Sequence, residues 1–186
     1  PPGRSGNALQ IHYQVCGATD GSCGGASQDD NQWASKVINP GLTHFFMRGY
    51  VYFKSPEPNA TATTYSSRKF MWFSDSTTAG NSQVDYANFL VGWAAVGRNT
   101  LSLMLGGNNV SGCAAGANAS IWDMAFLNWD TWYSIEEEIQ LNSPGASDGI
   151  FRLWVNGVQV YSTTANNYRG TCSVPVVFFS VGSQTN

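Results

Sequence analysis

"HFFMRGYVYFK", residues 44–54, separates into two interleaved sets of side chains. Every second residue from Phe45 gives Phe45, Met47, Gly49, Val51 and Phe53, an apolar face of the kind a β-strand buries, because successive side chains point to opposite sides. The other set is His44, Phe46, Arg48, Tyr50, Tyr52 and Lys54. It mixes cations with aromatic rings and fits neither a second core face nor an ordinary solvated one. The stretch is read as a central strand of a two-sided β-layer, with the apolar set turned inward and the aromatic and cationic set displayed outward.

The rest of the chain follows the same pattern. Segments 8–15, 43–54, 68–74, 88–96, 100–106, 132–142, 150–156, 158–163 and 174–182 are rich in β-branched and aromatic residues. Clusters of Gly, Pro, Asn, Asp and Ser punctuate them. Asn156-Gly157 supplies the positive φ angles of a two-residue type I′ turn, so 150–155 and 158–163 are expected to pair antiparallel. Long loops are expected over 16–42, 55–67, 107–131 and 143–149, with "SIWDMAFLNW" inside the third holding either one helical turn or a short strand. Many strands joined by turns, without an intervening helical pattern, predict an antiparallel β-sandwich or jelly roll. Neither an internal repeat nor a linker marks a boundary, so residues 1–186 read as one domain.

Of the 186 residues, 42% are hydrophobic and 13% aromatic, enough for a sizeable core. Only 11% are charged, which leaves Ser, Thr, Asn, Gln and Gly to cover the surface and suits an extracellular protein. Nine Lys plus Arg, no basic run and a net charge of −3 argue against nucleic acid or an anionic membrane as main partner. The opening "PPGRSGN" lacks the basic start and apolar centre of a signal peptide; for a secreted protein the expectation is that the signal has been removed.

The four cysteines include no C-x-x-C pair, which favours disulfides over a metal or redox site. Three pairings are open; the preferred one joins Cys16 to Cys23 and Cys113 to Cys172. Asn59, Asn109 and Asn118 each begin an N-x-S/T sequon in a small-residue stretch that reads as a loop, consistent with a secreted glycoprotein.

Residues 129–161, "WDTWYSIEEEIQLNSPGASDGIFRLWVNGVQVY", resemble the hairpin region of the concanavalin A-like lectin and glucanase jelly rolls, including laminin G-like and polysaccharide-lyase-like members. The resembling pattern is G-x-x-R-x-W-x-[DN]-G, carried here by Gly149, Arg152, Trp154, Asn156 and Gly157. "SGNALQIHY" also resembles an early strand of such domains. The motifs cover about a third of the chain and imply an all-β concanavalin A-like jelly roll. They say little about function, since that architecture carries lectins, lyases, hydrolases and structural domains alike. Domains of this type commonly have an extra strand before the position of Ser5 and another after that of Ser183, and this sequence shows neither in recognisable form. An unfinished sheet invites strand addition by a neighbour, so a self-assembling structural role, as a homo-oligomer or polymer, is the rival expectation.

Within such a jelly roll the outward set lines a groove. Aromatic rings stack on sugar C–H faces while Arg and amide groups bond hydroxyls, so the expected glycan-binding residues are Arg48, Tyr50, Tyr52, Trp72, Arg152 and Trp154. The plain alternative is that Arg48 or Arg152 merely pairs with Glu136 or Glu138. Glycanases of this superfamily carry E-x-D-x-E on one strand; the resembling positions are Glu136, Glu138 and Gln140, and an amide cannot transfer a proton, which argues against hydrolysis. A lyase would need a cation for the uronate, a base and an acid, roles that His12, Arg48, Tyr50 and Tyr52 are candidates to fill. The "QIH" triplet at Gln10–His12 resembles one in alginate lyases, but the accompanying Arg-Glu-Arg and Tyr/Lys motifs are not visible. Asp29 and Asp30 offer oxygen ligands for Ca²⁺ without the spacing of a calcium loop, so no cofactor is expected. The leading expectation is non-catalytic glycan recognition outside the cell, ahead of self-assembly and of lyase activity.

Overall fold

The computed structural model describes residues 32–53, 66–74, 84–85, 90–94, 100–105, 109–110 and 121–185. They form β1 (Gln32–Leu42), β2 (His44–Tyr52), β3 (Ser66–Ser74), β4 (Val84–Asp85), β5 (Leu90–Ala94) and β6 (Thr100–Leu105). These are followed by β7 (Asn109–Val110), β8 (Ile121–Asn128), β9 (Trp132–Gln140), β10 (Gly149–Val155), β11 (Val158–Asn166) and β12 (Val176–Thr185). A six-stranded sheet has the order β1-β12-β3-β5-β6-β8 and a four-stranded sheet the order β11-β10-β9-β2; β4 and β7 form a small ribbon. Every pairing is antiparallel, and there is no helix among the described residues.

The two larger sheets pack face to face through the apolar sets of their strands. Phe45 of β2 meets Phe73 of β3 with ring centroids 5.0 Å apart. A Cβ added at Gly49 would lie 3.3 Å from Met71 Cε, so the small residue lets the sheets close on one another. Ile135, Ile139, Phe151 and Leu153 from one sheet and Met71, Phe73, Leu103, Leu127 and Val176 from the other are buried in a common core. Removal of this apolar area from water is the main favourable term in holding the layers together. The architecture is an antiparallel β-sandwich of the jelly-roll type, as the succession of strands and turns without a helical pattern predicts.

The Asn156-Gly157 hairpin forms as expected. Both residues have positive φ, 50° and 79°, and Val155 stands opposite Val158, the geometry of a type I′ turn. Asn156 also ties the turn to β9: its N–H donates to Ser134 O at 2.8 Å, and its Oδ1 accepts the Ser134 N–H at 2.9 Å. At the other end of the sandwich, buried Asn142 holds two loops together. Its Oδ1 accepts the N–H groups of Tyr168 and Arg169, and its Nδ2 donates to Ser143 O and Ala146 O. Arg169 returns a bond from Nε to Asn142 O at 2.7 Å. Buried polar groups are costly unless paired, so this knot satisfies both chain segments at once.

Several expectations are corrected. Residues 32–42 are strand and not part of a long loop. Apolar residues there come in adjacent pairs, Trp33-Ala34 and Val37-Ile38, and Pro40-Gly41 reads as a turn, yet pairing with β12 holds the segment extended across a register shift between Val37 and Leu42. Within 107–131 the strand alternative for "SIWDMAFLNW" is realised as β8, while Asn109 sits in the short strand β7 rather than in a loop. The strand β2 lies at the end of its sheet among the described residues, not at the centre. Cys172 is disulfide-bonded; Cys16, Cys23 and Cys113 lie outside the described residues, as do Asn59 and Asn118.

Two glycines of the 149–157 motif answer to different constraints. A Cβ at Gly157 meets nothing within 4 Å, but φ is positive; a Cβ at Gly149 would stand 2.6 Å from Asn166 O and 3.0 Å from Gln140 O. Gly157→Ala is therefore expected to cost about 1 to 2 kcal/mol through backbone strain alone. Gly149→Ala costs more, about 3 kcal/mol, because backbone on both sides must move. Urea denaturation midpoints of the two variants check the order.

Candidate functional site

The outward face of the four-stranded sheet carries the aromatic and charged set. Register lines its residues into cross-strand rows: Phe46, Glu138 and Arg152 in one, Arg48, Glu136 and Trp154 in the next, then Tyr50 with Ser134 and Tyr52 with Trp132. The same alternation that turns Phe45 inward leaves Phe46 67% exposed. Residues in directly opposed positions have side chains close enough to pair, and this face uses that proximity for charge.

Arg48 donates to Glu136 Oε2 across the strands at 2.7 Å. Glu138, only 7% exposed at its side chain, is held from both sides. Arg152 NH1 donates to its Oε2 at 2.5 Å, and His44 Nε2 lies 2.9 Å from Oε1, an imidazole N–H donating to a carboxylate. The two bonds join β2, β9 and β10 at one carboxylate. Burial by itself would raise the Glu138 carboxyl, but the hydrogen bonds and charges of His44 and Arg152 outweigh it and hold the group below its ordinary value. The bond to Glu136 keeps the Arg48 guanidinium charged.

Aromatic rings flank these pairs. Tyr52 and Trp132 lie with centroids 5.3 Å apart at 45°, and His44 and Phe46 are likewise 5.3 Å apart. The Tyr52 hydroxyl donates to Asp130 Oδ1 at 3.2 Å; partial burial first, then the Asp130 charge and bond, raise its pKa, so it remains a protonated donor. Phe46, Met47, Arg48, Glu136, Glu137 and Trp154 line an open cleft of about 450 Å³.

The structure thus brings Arg48, Tyr50, Tyr52, Arg152 and Trp154 onto one sheet, while Trp72 belongs to β3 of the other sheet. His12, Asp29 and Asp30 lie outside the described residues, within which no cluster of three or more His, Cys, Asp or Glu is placed to hold a metal. Each arginine of the face is engaged by a glutamate of β9, Arg48 by Glu136 and Arg152 by Glu138. Sequence reasoning missed Trp132 and the role of His44 as a partner of Glu138. Counting by twos along β9 from Glu138 and Glu136 reaches Trp132, so the signal was available. A carboxylate kept ionised by two partners is a poor proton donor, and the third position of the acidic strand is Gln140, an amide that transfers no proton.

No protein-family model matches the sequence, and no curated protein matches it. Among solved structures the chain is similar in fold to the marine PL-14 alginate lyase from Aplysia kurodai, with 15% identity over 79% of this chain and a TM-score of 0.49. It is also similar to the endo-β-1,4-glucuronan lyase from the fungus Trichoderma reesei, with 14% identity over 83% of this chain and a TM-score of 0.40. A third is the alginate lyase vAL-1 from Chlorella virus, with 13% identity over 76% and a TM-score of 0.43. The chain spans 62%, 69% and 62% of those three proteins, respectively. At these identities and TM-scores the likeness carries no argument, and the chemistry is read from this chain's own residues.

The Glu138 bridge has a pH dependence of definite sign. Its folded pKa is depressed below 4.5, so the stabilisation is present above pH 4.5 and is lost as pH falls through the folded value. Glu138→Gln is expected to flatten the acid limb of the stability curve and to cost about 1 kcal/mol at neutral pH, Arg152 being one third exposed and screened. Urea midpoints between pH 2 and 7 read both effects.

Proposed function

We propose that the outward face of the four-stranded sheet binds a neutral polysaccharide without cleaving it. The observation that carries this reading is a charge-compensated surface set among aromatic rings: Arg48 with Glu136, Arg152 with Glu138, and exposed Phe46, Tyr52 and Trp132 with half-buried Trp154 around them. Rings of this kind stack on sugar C–H faces, and fixed Arg–Glu pairs offer donors and acceptors to hydroxyls without a net field. A uronate chain would have to displace a carboxylate already bonded to each arginine and meet the remaining negative charge. In this reading the protein works outside the cell, with Cys172 in a structural bridge and Asn59, Asn109 and Asn118 as glycan attachment points, and no cofactor takes part.

Affinity gel electrophoresis against a panel of neutral and uronate polysaccharides tests the proposal. Retardation by at least one neutral polymer is expected, with Arg48→Ala and Trp154→Ala each weakening it about tenfold, roughly 1.4 kcal/mol, at an unchanged melting temperature. Migration unaffected by every neutral polymer defeats the reading. New ultraviolet absorbance on uronate polymers would establish a lyase instead, and a large species eluting without sugar would establish self-assembly.

A further inference from the structure

Glu137 lies on the wrong side of the sheet for a carboxylate. The outward set of β9 is Trp132, Ser134, Glu136, Glu138 and Gln140; Glu137 falls between them and points into the core. Its row partners are Met47 on β2 and Leu153 on β10, with Tyr161 of β11 beyond Leu153. The side chain is 2% exposed, and neither Oε1 nor Oε2 has a hydrogen-bond partner among the described residues. Among the described residues, Tyr161 shares its cross-strand row, one strand beyond Leu153, and Tyr168 feels its charge. Tyr168 donates its hydroxyl to Ile150 O at 2.9 Å. Its own pKa is raised chiefly by burial, with the charge of Glu137 adding to the shift. No cation among the described residues offsets a charge on Glu137; burial alone raises its pKa, to about 8.

We propose that Glu137 is a proton-operated latch between the two sheets: as a neutral acid it packs between Met47 and Leu153 and lets the sandwich close, and as a carboxylate it draws water between the sheets and loosens the four-stranded layer. An uncompensated buried charge costs several times what a neutral carboxylic acid does, so the group must either hold its proton or open its surroundings. The sign follows from linkage. The folded protein keeps a proton that the unfolded chain releases above pH 4.5, so this contribution to stability is full below pH 4.5, declines as pH rises, and is gone above the folded value near 8. Its direction is opposite to that of Glu138, the next residue along, whose contribution is lost in acid. Glu137 stands between Glu136 and Glu138 on β9, both of them on the outward face, so loosening at this point reaches that face.

The test is the pH dependence of urea unfolding of the full chain between pH 5 and 9, for the wild type, Glu137→Gln and Glu137→Met. The wild-type folding constant is expected to carry a component that falls about tenfold per pH unit up to pH 8, absent from both variants. Equal slopes in all three proteins would overturn the proposal. Independently of whether either variant folds, the ¹³C shift of the Glu137 side-chain carboxyl in the native protein should titrate well above 6. An inflection near 4.5 overturns the latch even if the variants are uninformative. Neither readout depends on glycan binding, so failure here and failure of the binding assays remain distinct results.

Discussion

The register between β2, β9 and β10 is the constraint on which the rest depends. Because side chains alternate with a period of two, a slip of one residue would exchange every inward position for an outward one. Held where it is, the register places Phe45, Ile139 and Phe151 in one buried row and Phe46, Glu138 and Arg152 in the adjacent outward row. The I′ turn at Asn156-Gly157 helps to hold it, and so does Gly149, whose missing Cβ lets β10 lie between the carbonyls of Gln140 and Asn166. Core packing and surface chemistry are thus two readings of one alignment.

Charge on the outward face is arranged in closed pairs. Glu136 faces Arg48, and Glu138 is shared between Arg152 and His44, so three strands converge on two carboxylates. The consequence is mechanical as well as chemical. Side chains already held in pairs lose less freedom on meeting a ligand than unpaired ones. Both arginines are thus engaged by carboxylates and Glu138 is held ionised, and the proposed recognition of neutral chains is built on these pairs.

One strand also holds opposed electrostatic demands. Glu138 is stabilised as an anion by its partners, while its neighbour Glu137 is buried without any and is stabilised only as an acid. Three consecutive glutamates therefore occupy three environments: paired at the surface, unpaired in the core, and paired in a nearly covered triad. Identical residues acquire different chemistry from the face they occupy and the partners on it.

Local pattern by itself determined the class of fold, the hairpin, most strand positions and the two sides of β2, because alternation and turn chemistry are properties of neighbouring residues. The strand β1 escaped it, since its apolar residues fall in adjacent pairs without alternation, Pro40-Gly41 reads as a turn, and the segment is extended by pairing with β12. Tertiary structure alone decided that Trp72 belongs to the opposite sheet, that Arg48 and Arg152 are already engaged, and that Glu137 is enclosed. Each of these depends on which strands lie side by side and which sheet covers which, relations among residues tens of positions apart. Burial and partnership are set by packing across that distance, and no local period encodes them.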